Sequence, residues 1–152
     1  MFETPITIVG TIVTNPERRW VGDQELIKFR VASNSRRRTV DGNWEPGNSL
    51  YATVNCWGRV VAGTSAALVK GDPVIVVGHV YTSEYDDREG NRRSSVEVRA
   101  TSVGPDLARC RARIDRIRQQ SEQPVTDVDD DAEAATDDDD ADQTAEGLPL
   151  TA

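Results

Sequence analysis

Tyr51, Trp57 and Tyr85 are the side chains whose placement most invites a chemical reading. The first two fall in Leu50-Tyr51-Ala52-Thr53-Val54-Asn55-Cys56-Trp57-Gly58, where every second residue is small or apolar. Successive side chains on a strand point to opposite faces. Leu50, Ala52, Val54 and Cys56 are therefore expected to face a core, and Tyr51, Thr53, Asn55 and Trp57 to face outward. An outward aromatic offers a flat π face to a planar ligand, or to a neighbouring subunit or loop. Periodicity alone balances those two uses. Each base stacked on such a residue contributes roughly 1 to 3 kcal/mol, with little regard for which base it is.

Cations tip the balance. Lys28 and Arg30 alternate with Ile27, Phe29 and Val31 in a predicted strand, so one face is apolar and the other charged. Arg36, Arg37 and Arg38 follow in the next connection, and Arg92 and Arg93 lie on the return side of a polar turn after Tyr85. Any one of them is ordinarily a solvated charge. Beside outward aromatics they make a stacking platform with an electrostatic track, the combination that holds single-stranded DNA. The expected DNA-binding set is Tyr51, Trp57, Tyr85, Lys28, Arg30, Arg36, Arg37, Arg38, Arg92 and Arg93.

Catalytic signals are weaker. The chain has neither G-x-x-x-x-G-K-[ST] nor H-E-x-x-H. Gly63-Thr64-Ser65-Ala66-Ala67 faintly echoes a nucleophile elbow but falls inside a predicted helix. His79 sits mid-strand, where a packed or solvated imidazole outweighs a general base. Asp86 and Asp87 could hold a cation weakly, yet read as solvated turn carboxylates. Two cysteines and one histidine cannot build a four-ligand zinc site from these residue types. No enzyme activity, metal or cofactor is expected. Cys56 and Cys110 are read as reduced thiols, a disulfide within or between subunits being the lesser alternative.

The formal charge of −8 over 152 residues would argue against a polyanionic partner if it were evenly spread. It is not. Residues 1 to 120 hold all 18 cations against 14 acids, a net +4, while residues 121 to 152 hold 12 acids and no cation. A mildly basic body carries a strongly acidic tail. No apolar run is long enough to span a membrane and the N-terminus lacks signal-peptide features, so the expected location is cytoplasmic, near the nucleoid.

The elements that must position these groups follow from the pattern. Ile6 to Val13 is β-branched and reads as a first strand, with Gly10 a bulge or bend, ended by a turn at Asn15-Pro16-Glu17. Leu26 to Ser33 is the second, with Phe29 in the core. Residues 35 to 47 read as a loop or long hairpin with Asp-Gly and Pro-Gly turns. The aromatic-bearing strand comes next, then a helix from Val60 to Val69 stopped by Gly71. Pro73 to Tyr81 reads as a strand buried on both faces or packed across a subunit boundary, continuing to Tyr85. Ser94 to Val103 closes the set. Trp20 is assigned to packing against this body.

Five strands with one helix after the third, within about 100 residues, is the layout of a five-stranded Greek-key barrel, the OB-fold. A β-sandwich is the competing layout. Residues 1 to 105 form that predicted domain. Asp106 to Gln120 places Leu107, Cys110, Ile114 and Ile117 at helical spacing among five arginines, predicting an amphipathic helix. Residues 121 to 152, with runs of aspartate and no aromatic, are expected to be disordered.

In order and spacing, Ile8-Val9-Gly10-Thr11-Ile12, Asn15-Pro16-Glu17-Arg18, Phe29-Arg30-Val31-Ala32-Ser33, Asn55-Cys56-Trp57-Gly58, Leu68-Val69-Lys70-Gly71-Asp72-Pro73-Val74 and Val76-Val77-Gly78 resemble the bacterial single-stranded DNA-binding proteins. The resemblance covers residues 5 to 105. It implies an OB-fold assembled as a homotetramer that wraps single-stranded DNA during replication, repair or recombination, with Tyr51, Trp57 and Tyr85 matching the stacking aromatics. Two departures stand out. Arg36 occupies a place where the family often has tryptophan, and a guanidinium there can stack on a base or hold a phosphate. The tail ends in Leu148-Pro149-Leu150-Thr151-Ala152 rather than an acidic run with a terminal Phe. The resemblance therefore points to a second, paralogous member, and does not extend to it the recruitment of replication or repair proteins. The alternative is an OB-fold interaction module that has lost strong DNA binding.

Overall fold

The structure, a computed structural model, describes residues 2–117. The expected disordered tail and the end of the predicted amphipathic helix lie outside them. The chain divides into units Met1–Asp115 and Arg116–Ala152, and the first carries every element described below.

Its elements are β1 (Thr4–Ile12), β2 (Glu17–Val21), β3 (Gln24–Arg38), β4 (Trp44–Trp57), α1 (Arg59–Ala67), β5 (Pro73–Asp86) and β6 (Arg92–Pro105). The strand order is β1-β5-β6-β4-β3-β2, and β1 also reaches β3, which closes the sheet on itself. All pairs are antiparallel except β4 with β6. This is the expected five-stranded Greek-key barrel of OB type, with β2 added along the start of β3.

Closure depends on a crossing where β1 meets β3 at Thr11↔Ala32 and Ile12↔Val31. Backbones approach so closely there that a Cβ on Gly10 would lie 2.5 Å from the Ala32 carbonyl oxygen. The expected bend at Gly10 is thus a contact point that only a residue without Cβ tolerates. The same crossing buries Ala32, which strand alternation would have put outside with Lys28 and Arg30.

Phe29, Ile27, Val54, Val76 and Val98 are fully buried inside the barrel, and α1 covers one end with Val61 and Thr64. Cys56 is among the buried residues, and burial pushes its thiol up to about 11, against a smaller opposing effect of a hydrogen bond with Thr64. Both cysteines are free. Val74 and Val76 face the core while Ile75 and Val77 face outward and are exposed, so β5 is not buried on both faces within one chain.

Several expectations need correction. Glu17 does not end a turn; it opens β2, whose five residues are all exposed and carry no burial pattern. Residues 35 to 47 are mostly strand. The β3–β4 ribbon runs to Arg38↔Trp44 past a register shift between Asn34 and Arg36, and only the tip at Thr39–Asn43 is a turn. Out on that ribbon no second layer faces Leu50, which is exposed rather than core. Leu68, in an extended conformation, ends α1; Gly71 lies in the following tight turn at φ 97, its N–H donating to the Ile12 carbonyl.

The predicted helix from Asp106 is absent over the described residues, where Leu107–Arg109 form a turn and 110–117 have no regular structure. Asp106 does accept from the Ala108 N–H, as a cap would. Arg109, however, turns back to bond Asp106 and the Gly10 carbonyl, fastening the segment to β1. A stripe with no surface to cover gives so short a helix little support; Leu107 and Ile114 are 62% and 78% exposed.

Candidate nucleic-acid interface

Residues directly opposite one another in adjacent strands share a face. From Trp57↔Leu26, Asn55↔Lys28, Thr53↔Arg30 and Tyr51↔Ala32, the outer row of β4 continues onto β3. From Thr53↔Glu97 and Asn55↔Arg99 it continues onto β6, and from Tyr81↔Glu97 and Tyr85↔Arg93 onto β5. One outer face therefore carries aromatics and cations from four strands.

At its centre lies a groove of about 720 Å³ lined by Lys28, Arg30, Tyr51, Tyr85 and Glu97, among others. The Arg30 guanidinium stands 5.6 Å from the Tyr51 ring centroid, a cation–π distance that steadies the ring. Both tyrosines are about half exposed. Four predicted site residues thus meet in one concavity. Trp57, only partly exposed, stands further along the same face, bordering two other depressions.

The remaining cations divide between faces. Arg93 lies opposite Tyr85, whereas Arg92 lies opposite Asp86 and points to the reverse side, where it pairs with Glu84 at 2.6 Å. On the β3–β4 ribbon, strand alternation sets Arg36 and Arg38 on one side with Trp44 and Pro46. Arg37 is on the other, 3.4 Å from Glu45. Arg38 donates to the Gly42 carbonyl in the turn. Asp87 accepts from the Glu89 and Asn91 N–H groups and pairs with Arg93, which holds its carboxyl below the usual range. That carboxylate is occupied in shaping the hairpin tip, the position at which the sequence allows weak cation binding.

Below the groove lies a polar cluster that the sequence reading missed. The buried Asn55 donates to the Tyr81 hydroxyl (3.1 Å) and to Glu97 (2.7 Å), and the Tyr81 hydroxyl donates to the same carboxylate (3.0 Å). Lys28 stands 3.8 Å from Glu97. Burial, followed by the bond to Glu97, raises the Tyr81 hydroxyl's pKa. Asn55 in an otherwise outward row was the available signal, but alternation assigns a side and not a depth. His79 is a surface residue, 3.5 Å from Glu3. Trp20 is 66% exposed and not packed on the barrel, contrary to expectation.

A closed Greek-key barrel with an open aromatic and cationic face defines a binding module of the OB class. A family model described as the single-strand binding protein family matches residues 4–106, and the chain belongs to that family. Among its relatives is a single-stranded DNA-binding protein of Corynebacterium glutamicum, 40% identical over 75% of this chain and 52% of that protein. A Mycobacterium leprae protein of the same description is 32% identical over 75% of this chain and 69% of its own length. The chain thus spans about half to two thirds of the length of these relatives. Among solved structures, the second single-stranded DNA-binding protein (SSBb) of Mycobacterium smegmatis is 62% identical, with a TM-score of 0.62, covering 76% of this chain and all of that one. A small single-stranded DNA-binding protein from Streptomyces coelicolor gives 33% identity and a TM-score of 0.66, over 72% of this chain and all of that one.

Proposed function

We propose that this protein binds single-stranded DNA without regard to sequence, as a binding protein and not an enzyme. The observation that carries the reading is the meeting of Tyr51, Tyr85, Lys28 and Arg30 in one groove. Bases stack on the tyrosines and, further along, on Trp57. Phosphates are drawn to Lys28, Arg30 and Arg93, with Arg36 and Arg38 extending the positive track along the β3–β4 ribbon. Arg37 and Arg92, on the reverse sides and paired with acids, contribute to the general field more than to contacts.

Assembly as a homotetramer fits the outward apolar residues Val9, Ile75 and Val77 of β1 and β5, which one chain leaves exposed. The cellular setting is the cytoplasm, on strands exposed during replication, repair or recombination; among the described residues no helix is long and apolar enough to cross a membrane.

Titrating the protein with oligo(dT) while following tryptophan fluorescence tests the reading. Tyr51→Ala should weaken binding about tenfold, one stacked base's worth. Binding no tighter to oligo(dT) than to duplex DNA would sink it. Assembly lost in Trp57→Ala with DNA affinity unchanged would favour an interaction module instead.

A further inference from the structure

A second depression opens at the end of the barrel. Trp57 is the last residue of β4, and Gly58, at φ 60, turns the chain into α1. Trp20 stands opposite Glu25 on the β2–β3 ribbon. The two indoles, with Val61 and Arg99, line a space of about 610 Å³. Nothing lies within 4 Å of where a Cβ on Gly58 would sit, so the rim between the indole and the helix is open.

This space is linked to the groove by way of a neighbouring depression and one hydrogen bond. Trp57 and Arg99 also line a neighbouring depression with Tyr81. Tyr81 bonds Glu97, and Glu97 lines the groove that holds Tyr51 and Tyr85. Trp57, Gln24 and Arg99 are common to the two end depressions.

We propose that a nucleobase of the bound strand enters between Trp20 and Trp57, so that the DNA leaves the sheet face there and turns round the end of the barrel toward α1. The proposal rests on the single-strand binding reading above. Its occupant follows from charge and shape. Two carboxylates, Asp23 and Glu25, line the space against one cation, Arg99, and Glu25 is paired with Arg18 at 2.8 Å, so a phosphate gains little there. A neutral, planar base is not repelled, and its N–H groups match carboxylate acceptors. Trp20 is left 66% exposed in the free chain. A stacked base would cover it.

The test uses the full chain, a series of oligo(dT) lengths and the variants Trp20→Ala and Tyr51→Ala. Trp20→Ala should leave binding of the shortest oligonucleotides unchanged, weaken the longer ones about tenfold and shorten the apparent site. Tyr51→Ala should weaken every length. Oligonucleotides carrying 5-iododeoxyuridine should photocrosslink to Trp20 in the unaltered protein, a result independent of any variant's folding. Trp20→Ala matching the parent at every length, with crosslinks confined to the Tyr51–Tyr85 groove, would overturn the proposal while leaving the binding reading intact. If Tyr51→Ala also changed nothing, the binding reading itself would fall. Loss of assembly mass in Trp20→Ala with unchanged DNA affinity would assign the depression to a second copy and overturn the proposal.

Discussion

Glu97 is a carboxylate in the groove proposed to hold a polyanion, and its bonds give it a structural role there. It accepts from Asn55 and Tyr81, fixing the floor on which the groove rests. The same charge stands 3.8 Å from Lys28 and, on the proposed binding mode, would compete with phosphate for it. Glu97→Gln keeps the size while removing the charge, so DNA affinity should rise. The slope of log affinity against log salt should steepen by up to about one unit as Lys28 is released to the strand. Titrations at several salt concentrations read both quantities, and an unchanged slope would show that Lys28 already serves the DNA. At this scale the sequence was half legible. That Tyr51, Tyr85, Lys28 and Arg30 share one outer face was legible, because alternation and charge mark it. Asn55, Tyr81 and Glu97 were not grouped, because their partnership depends on β5 and β6 being laid beside β4. Trp20 was misjudged because an indole on a short polar strand reads equally well as packing.

Among the elements, the β1–β3 crossing most constrains the sequence. Gly10→Ala would drive a methyl group into the Ala32 carbonyl and the Val31 side chain. The crossing must then part, at a cost of about 1 to 3 kcal/mol, seen as a lower midpoint in denaturant with the strand content otherwise retained. An unaltered midpoint would mean that β1 shifts freely at that point. Strands with a buried row, such as β4 and β6, were readable from period two. β2 was not, because it buries nothing. The ends of β3 and β4 were not either, since beyond the barrel they are held by cross-strand hydrogen bonds and not by an apolar pattern. The predicted helix at Asp106 shows the converse: spacing without a surface to pack on. There the Arg109 bonds to Asp106 and Gly10 decide the path.

For the whole molecule, the charge division matters most. Residues 121 to 152 hold twelve acids against a net +4 in residues 1 to 120, and a tethered polyanion is expected to compete with DNA for those cations. Removing residues 121 to 152 should raise oligo(dT) affinity most at low salt and progressively less as salt screens the competition; identical affinities at low salt would remove the idea. The barrel's connectivity has a further consequence, in time. Ile8 of β1 pairs with Val76 of β5, 68 positions later in the chain. At about 5 to 20 residues per second of synthesis, β1 must therefore wait several seconds for that partner. Throughout that interval Ile6-Thr7-Ile8-Val9 is an unpaired β-branched edge, so the first strand made is among the last to be secured.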